Sequence, residues 1–118
     1  MQTKVLLIIK SPPYGSLRAV EGLRIATAMI AMDVLPHLLF IDDGIYCLIR
    51  NQKPETAGLD SYRERLNTLA DLVGLHVVSE SMVERELKLA DFVHSQVRIV
   101  TLDEAAKLLI ESETAITF

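Results

Sequence analysis

The sequence predicts a three-layer α/β sandwich in which helices cover both faces of a five-stranded parallel β-sheet. Short aliphatic runs recur along the chain, and segments with helical periodicity separate them. In addition, the pattern of a Ser or Thr followed three positions later by Glu predicts three helix starts. Two of these starts come just after such runs. Helices that follow strands repeatedly are typical of βαβ units, which build parallel sheets. The length of 118 residues suits one domain, residues 1–118.

Five apolar runs are the predicted strands. They are residues 5–9, 37–41, 75–78, 97–100 and 115–118. The runs are short and largely built from Val, Ile and Leu, a composition typical of parallel strands that are covered on both faces. Pro12 and Pro13 follow the first run, and the turn-forming sequence Asp42-Asp43-Gly44 follows the second.

Helical periodicity begins at Ser16, after the first run. One apolar stripe contains Val20, Leu23, Thr27 and Ile30. Residues 44–49 are predicted as a brief helix, and the polar stretch 50–59 as a loop.

Three candidate capping boxes predict further helix starts, because each side chain of such a pair accepts a hydrogen bond from the other's backbone N–H. The pairs are Ser61 with Glu64, Ser81 with Glu84, and Thr101 with Glu104. The helix that starts at Ser61 should end before Gly74. Together these elements make the predicted architecture flavodoxin-like.

Composition and charge exclude several classes of function. The net charge is −4 without a basic stripe, so we expect no direct nucleic-acid binding. One cysteine excludes an internal disulfide and a multi-thiolate metal site, which favours a reducing, cytoplasmic location. We expect no membrane span, because no apolar stretch approaches the ~20 residues that a bilayer requires. The first residues also lack the features of a signal peptide.

Ligands of parallel sheets usually bind at the carboxyl ends of the strands, so the loops there are the candidate sites. The loop 10–16 lacks a glycine-rich phosphate motif, and its two prolines remove two backbone donors. We therefore expect no nucleotide and no other cofactor. The same loop is predicted to be a rigid turn that presents Tyr14 at a surface.

Other polar residues give no complete catalytic or metal site. Asp42 and Asp43 lie where carboxylates can act as acid and base, but a turn with a helix cap also accounts for them. The histidines His37, His76 and His94 are far apart in the sequence, and none has the i, i+4 spacing of a helical metal site. We therefore expect no metal, and packing roles for His37 and His76.

Cys47 is the one side chain that could carry a persulfide. Three residues after Gly44 it would lie in the first turn of a short helix, where amide dipoles favour a thiolate. Its apolar neighbours instead indicate burial, which raises the pKa of a thiol. If the chain is an enzyme by itself, Cys47 makes it a sulfurtransferase.

Five segments together resemble one known family. They are 11–16 (SPPYGS), 21–23 (EGL), 39–46 (LFIDDGIY), 51–54 (NQKP) and 112–118 (SETAITF). The chain resembles the DsrE/DsrF-like sulfur-relay family, and within it the DsrF/TusC branch. The resemblance spans nearly the whole chain, and the aspartate-aspartate-glycine segment is its most specific part.

The resemblance implies a role. Members of the family assemble from related subunits and pass sulfur as cysteine persulfide, either towards 2-thiouridine in tRNA or in sulfur oxidation. The persulfide-bearing cysteine of the DsrE/TusD subunit lies at the start of the helix after the third strand, which here falls at Ser79-Glu80-Ser81. Serine cannot hold a persulfide, and relatives commonly have a polar residue where this chain has Cys47. The chain therefore resembles the non-catalytic partner in the relay.

The implied partners are DsrE/TusD-like and DsrH/TusB-like subunits, or further copies of this chain in a homo-oligomer. The surface that would face a partner or ligand comprises Tyr14, Gly15, Asp42, Asp43, Gly44, Ser79 and Ser81. Two alternatives remain open at this point: a stand-alone sulfurtransferase that uses Cys47, and a small-ligand-binding domain.

Overall fold

The five predicted strands form one sheet in the computed structural model, which describes residues 4–49, 62–92 and 97–118. The strands are β1 (Val5–Ile9), β2 (His37–Phe40), β3 (Leu75–Val78), β4 (Arg98–Val100) and β5 (Thr114–Thr117). The α-helices are α1 (Arg18–Ala31), α2 (Tyr62–Leu72), α3 (Ser79–Glu84) and α4 (Leu102–Glu111). In the part of the chain that the structure describes, two 3₁₀ helices span Asp42–Leu48 and Leu89–Asp91. The predicted strands are confirmed, with ends that differ by no more than one residue.

The sheet is parallel throughout, in the order β4-β3-β2-β1-β5. From β1 to β4 the chain moves towards one edge, and from β4 it returns to pair β5 with β1. Because crossovers between parallel strands are right-handed, steps in one direction place their helices on one face, and the return step places its helix on the other.

The packing follows that rule. On the face we call the front, α1, the first 3₁₀ helix, α2 and α3 contribute to one core with alternate residues of β1, such as Leu7 and Ile9. On the back face, Leu6 of β1 belongs to a smaller core, to which α4 contributes Ala105 and Leu108. The predicted three-layer sandwich with helices on both faces is therefore confirmed.

The three predicted capping boxes have different outcomes. Thr101 caps α4 as predicted: its Oγ1 accepts from the N–H of Glu104, and Glu104 Oε1 accepts from the N–H of Thr101, both at 3.2 Å. The cap predicted at Ser81 is wrong, because α3 begins at Ser79 and the Ser81 hydroxyl accepts a tertiary hydrogen bond instead. The cap predicted at Ser61, the loop 50–59 and His94 lie outside the described residues.

Candidate functional site

The loop after β2 and helix α3 meet at the carboxyl edge of the sheet. The backbone N–H of Asp42 donates to Ser81 Oγ at 3.0 Å, with Asp42 in the left-handed region (φ 53°). Arg85 donates from Nε and Nη2 to Asp43 Oδ1, at 3.2 and 3.0 Å. One hydrogen bond and one ion pair therefore clamp the two segments together, although they are 39 residues or more apart in the sequence.

Gly44 lies within this clamp, where two backbone segments approach closely. A Cβ at Gly44 would overlap the carbonyl oxygen of Ile9 and lie 2.6 Å from its carbonyl carbon. Backbone atoms at the end of a central strand cannot move aside as a side chain can, so glycine is required here for space. This contact seats the first 3₁₀ helix against β1.

The position that the resemblance links to a relay cysteine is occupied by Ser79, Glu80 and Ser81, which form the first turn of α3 directly after β3. Ser79 Oγ donates to Glu80 Oε1 at 2.8 Å. The Glu80 carboxylate accepts from the N–H of Leu102 at 3.1 and 3.2 Å, and so occupies the N-terminus of α4. The hydrogen bond from Ser79, followed by that from Leu102, lowers the pKa of Glu80.

Ser81 and Gly44 do not fit the predicted partner surface. Ser81 is 4% exposed and its hydroxyl faces Asp42, while Gly44 is buried against Ile9. Both support the surface from beneath, because a hydrogen bond or close packing holds each inside the fold. Tyr14 is half-buried against the front core. The remaining members are exposed or partly exposed: Gly15, Asp42, Asp43 and Ser79.

Cys47 lies inside the front core, not at a surface. It is 1% exposed, and burial raises the pKa of its thiol to about 12. It is also the sixth residue of the 3₁₀ helix Asp42–Leu48, so the predicted first-turn position is wrong. The helix begins two residues earlier than predicted, which moves Cys47 away from the amide dipoles of its start.

His37 and His76 are brought together at the amino edge of the sheet, which the sequence did not predict. β2 and β3 are paired neighbours, and their register places His37 Nδ1 3.5 Å from His76 Nε2. His76 is 5% exposed, and its Nδ1 is buried with no hydrogen-bond partner in the described structure. Burial, followed by the charges of His37 and Arg98, lowers the pKa of His76.

Among the residues that the structure describes, no group of three His, Cys, Asp or Glu side chains is placed to hold a metal ion. No helix in the described ranges is both long and apolar enough to span a bilayer.

The back face carries an apolar surface around α4. A groove of about 210 Å³ lies between α4 and the sheet. It is lined by Ile8, Leu39, Ile41, Leu102, Ala105, Ala106 and Leu109. Leu102 and Leu109 are nearly half exposed, and Ile110 beside them is 81% exposed. Exposed apolar surface of this kind is typical of a face that packs against another protein.

Two relatives match most of this chain. The protein named intracellular sulfur oxidation protein DsrF, from Allochromatium vinosum, is 27% identical over 110 residues, which cover 92% of this chain and 81% of the relative. The protein named TusC homolog, from Vibrio parahaemolyticus, is 27% identical over 118 residues, which cover 98% of this chain and 99% of the relative.

Solved structures share the fold. The crystal structure of the ychN protein from E. coli superposes with a TM-score of 0.80 at 24% identity, over 100% of both chains. The structure of the protein of unknown function MTH1491 from Methanobacterium thermoautotrophicum superposes with a TM-score of 0.72 at 13% identity, also over 100% of both chains. At these identities the likeness concerns the fold alone. The family model of the DsrE/DsrF-like family matches residues 3–118. This chain therefore belongs to the DsrE/DsrF-like family.

Proposed function

We propose that this chain is a non-catalytic subunit of a cytoplasmic sulfur-relay complex and supports persulfide transfer by a cysteine-bearing partner. The observation that carries the proposal is the first turn of α3, where Ser79, Glu80 and Ser81 stand in place of a relay cysteine. The hydroxyls of both serines already make hydrogen bonds within this chain.

The chemistry of sulfur transfer supports this assignment. A relay thiolate attacks the terminal sulfur of a donor persulfide, a new S–S bond forms, and the donor cysteine leaves as a thiolate. The acceptor must therefore be exposed and ionised near neutral pH. Cys47 meets neither condition, since it is 1% exposed and the pKa of its thiol is raised to about 12. The alternative of a stand-alone sulfurtransferase is disfavoured for the same reason.

The partners we propose are DsrE/TusD-like and DsrH/TusB-like subunits, or further copies of this chain. At the carboxyl edge, Gly15, Asp42, Asp43 and Ser79 form the exposed surface that would face the partner's reactive cysteine, with Tyr14 packed beside them. The clamp between Asp43 and Arg85 fixes the shape of that surface. On the back face, the apolar surface around α4 would pack against a related subunit.

Two final destinations of the sulfur are compatible with the proposal: sulfur oxidation and thiolation of tRNA. The DsrF relative is named for sulfur oxidation, and the resemblance to the TusC branch implies a role in 2-thiouridine formation in tRNA. This chain covers 99% of the TusC relative and 81% of the DsrF relative. Both acceptors belong to the proposal, and a reconstituted complex offered each acceptor would separate them.

The test is reconstitution with a cysteine-bearing DsrE/TusD-like subunit. After loading with a sulfur donor, transfer is followed by mass spectrometry on each chain, with wild type and Cys47→Ala compared. We expect Cys47→Ala to transfer sulfur at nearly the wild-type rate, whereas substitution of the partner's relay cysteine abolishes transfer. A gain of one sulfur atom on Cys47, lost when an acceptor is added, would instead establish the sulfurtransferase alternative.

A further inference from the structure

Three basic side chains meet at the amino edge of the back face, opposite the loops discussed above. His76 is paired with Arg98 in the parallel register of β3 and β4, and His37 of β2 lies beside them. They line a cleft of about 180 Å³. Ala70, Val73, Gly74 and Leu75 complete its wall.

The lining of the cleft carries the positive charge of Arg98 and no negative charge. Its lining contains no carboxylate, and within the described residues the Arg98 side chain makes no hydrogen bond and no ion pair. A guanidinium is charged at every physiological pH. Arg98 therefore supplies a permanent charge and planar donors that the fold itself does not use.

The ring nitrogens of His37 and His76 also lack some of the hydrogen bonds that they could make. The 3.5 Å between His37 Nδ1 and His76 Nε2 is longer than an ordinary hydrogen bond, and the opposite nitrogen of His76 has no partner in the described structure. A buried polar group that lacks a partner costs free energy, and an apolar side chain would avoid that cost. Gly74 leaves room for the pair, since a Cβ there would lie 3.1 and 3.3 Å from the two facing nitrogens.

We propose that this cleft binds a small tetrahedral oxyanion of the sulfate or phosphate class, held by the Arg98 guanidinium and by the exposed imidazole of His37. Arginine and histidine are the donors that recognise such anions through charge-assisted hydrogen bonds. A divalent cation would be repelled by Arg98 and would find only two ligands in the described structure. The site is independent of the proposed sulfur relay.

Lys107, a charged residue outside the cleft, provides a matched control variant for Arg98. A second cleft shares His76 and Arg98, and its other charged lining residues are Glu104, Lys107 and Glu111 of α4. Lys107 thus lies near Arg98 but does not line the proposed anion site.

The test is an NMR titration of the histidine imidazole resonances with sodium sulfate, at ionic strength held constant with sodium chloride. We expect saturable shifts of His37 and His76 in the wild type. Arg98→Gln should raise the Kd by about tenfold or more, because a charge-assisted hydrogen bond is lost. His37→Gln should also weaken binding, and Lys107→Gln should leave the Kd unchanged.

Circular dichroism of each variant reports whether the fold is retained, and Arg98 is exposed at a strand end, so we expect Arg98→Gln to fold. Three outcomes would overturn the proposal: shifts that grow linearly with sulfate, a Kd equal in the wild type and Arg98→Gln, or saturation by Zn²⁺ with no response to sulfate.

Discussion

The two faces of the sheet are covered unequally. Among the described residues, nineteen buried side chains form the front core, whereas five form the back core. Within the described ranges, the front is covered by α1, the first 3₁₀ helix, α2 and α3, and the back by α4 alone. Helix α4 itself has three exposed large apolar side chains, Leu102, Leu109 and Ile110.

The difference shows how strand order distributes the core. Three consecutive crossovers in one direction stack their helices on the front, and the single return crossover leaves one helix for the back of a five-stranded sheet. One helix, about 10 Å wide, cannot cover five strands spaced roughly 4.8 Å apart. The back face is therefore the face on which a related subunit could complete the burial of apolar surface.

The largest effect is expected where the front layer touches the strand backbone. Gly44→Ala should lower the free energy of unfolding by about 4–5 kcal/mol, because its Cβ would overlap the Ile9 carbonyl. Urea unfolding measures the loss. Gly15→Ala is the control: its Cβ would meet no atom within 4 Å, but φ is +95°, so the loss should be about 1 kcal/mol. An equal loss in the two variants would contradict the packing argument.

Neighbouring leucines of β1 compare the two cores directly. Leu7 faces the front core and Leu6 the back core, and both are 0% exposed. Leu7→Ala should cost about 4 kcal/mol, since packed helices hold the cavity open. Leu6→Ala should cost about 2–3 kcal/mol, because α4 alone covers that site and can shift into the space. Urea unfolding of both variants tests this, and a larger loss for Leu6→Ala would mean that the back layer is the more rigid one.

The cap of α4 tests how firmly the back layer is held. Thr101→Ala removes the acceptor for the N–H of Glu104 and should cost about 1 kcal/mol. Thr101→Ser keeps a hydroxyl at the same place and should lie within a few tenths of a kcal/mol of the wild type, roughly as N-cap preferences predict. If serine proved as destabilising as alanine, the methyl group of Thr101 rather than its hydroxyl would be responsible.

The sequence was informative wherever a local pattern decides the structure. Aliphatic runs located all five strands, and the Thr101 and Glu104 pair located the start of α4. The same Ser-x-x-Glu pattern failed at Ser81, because a tertiary hydrogen bond from Asp42 uses its hydroxyl. Local spacing contains no information about such a partner.

The candidate sites depend on how the strands are paired and on how deeply each side chain is buried. A single sequence shows neither. His37 and His76 are 39 residues apart, and only the pairing of β2 with β3 brings their rings together. Cys47 has apolar neighbours, which indicated burial, but its depth follows from how closely Gly44 seats the 3₁₀ helix against β1. A buried histidine in an otherwise apolar run was the signal that could have drawn attention to the amino edge.

The smallest effect on stability, and the sharpest test of the back face, is expected at Ile110. Ile110→Glu changes a side chain that is 81% exposed, so the free energy of unfolding should stay within about 0.5 kcal/mol of the wild type. Association with a related subunit should weaken by about tenfold or more, because the carboxylate would be buried without a partner. Met32→Glu, at a site 77% exposed after α1, is the matched control and should leave association unchanged. Sedimentation velocity with a DsrE/TusD-like subunit, and with the chain alone, measures both. If Met32→Glu and Ile110→Glu weaken assembly equally, the unequal covering of the sheet has no bearing on how subunits join.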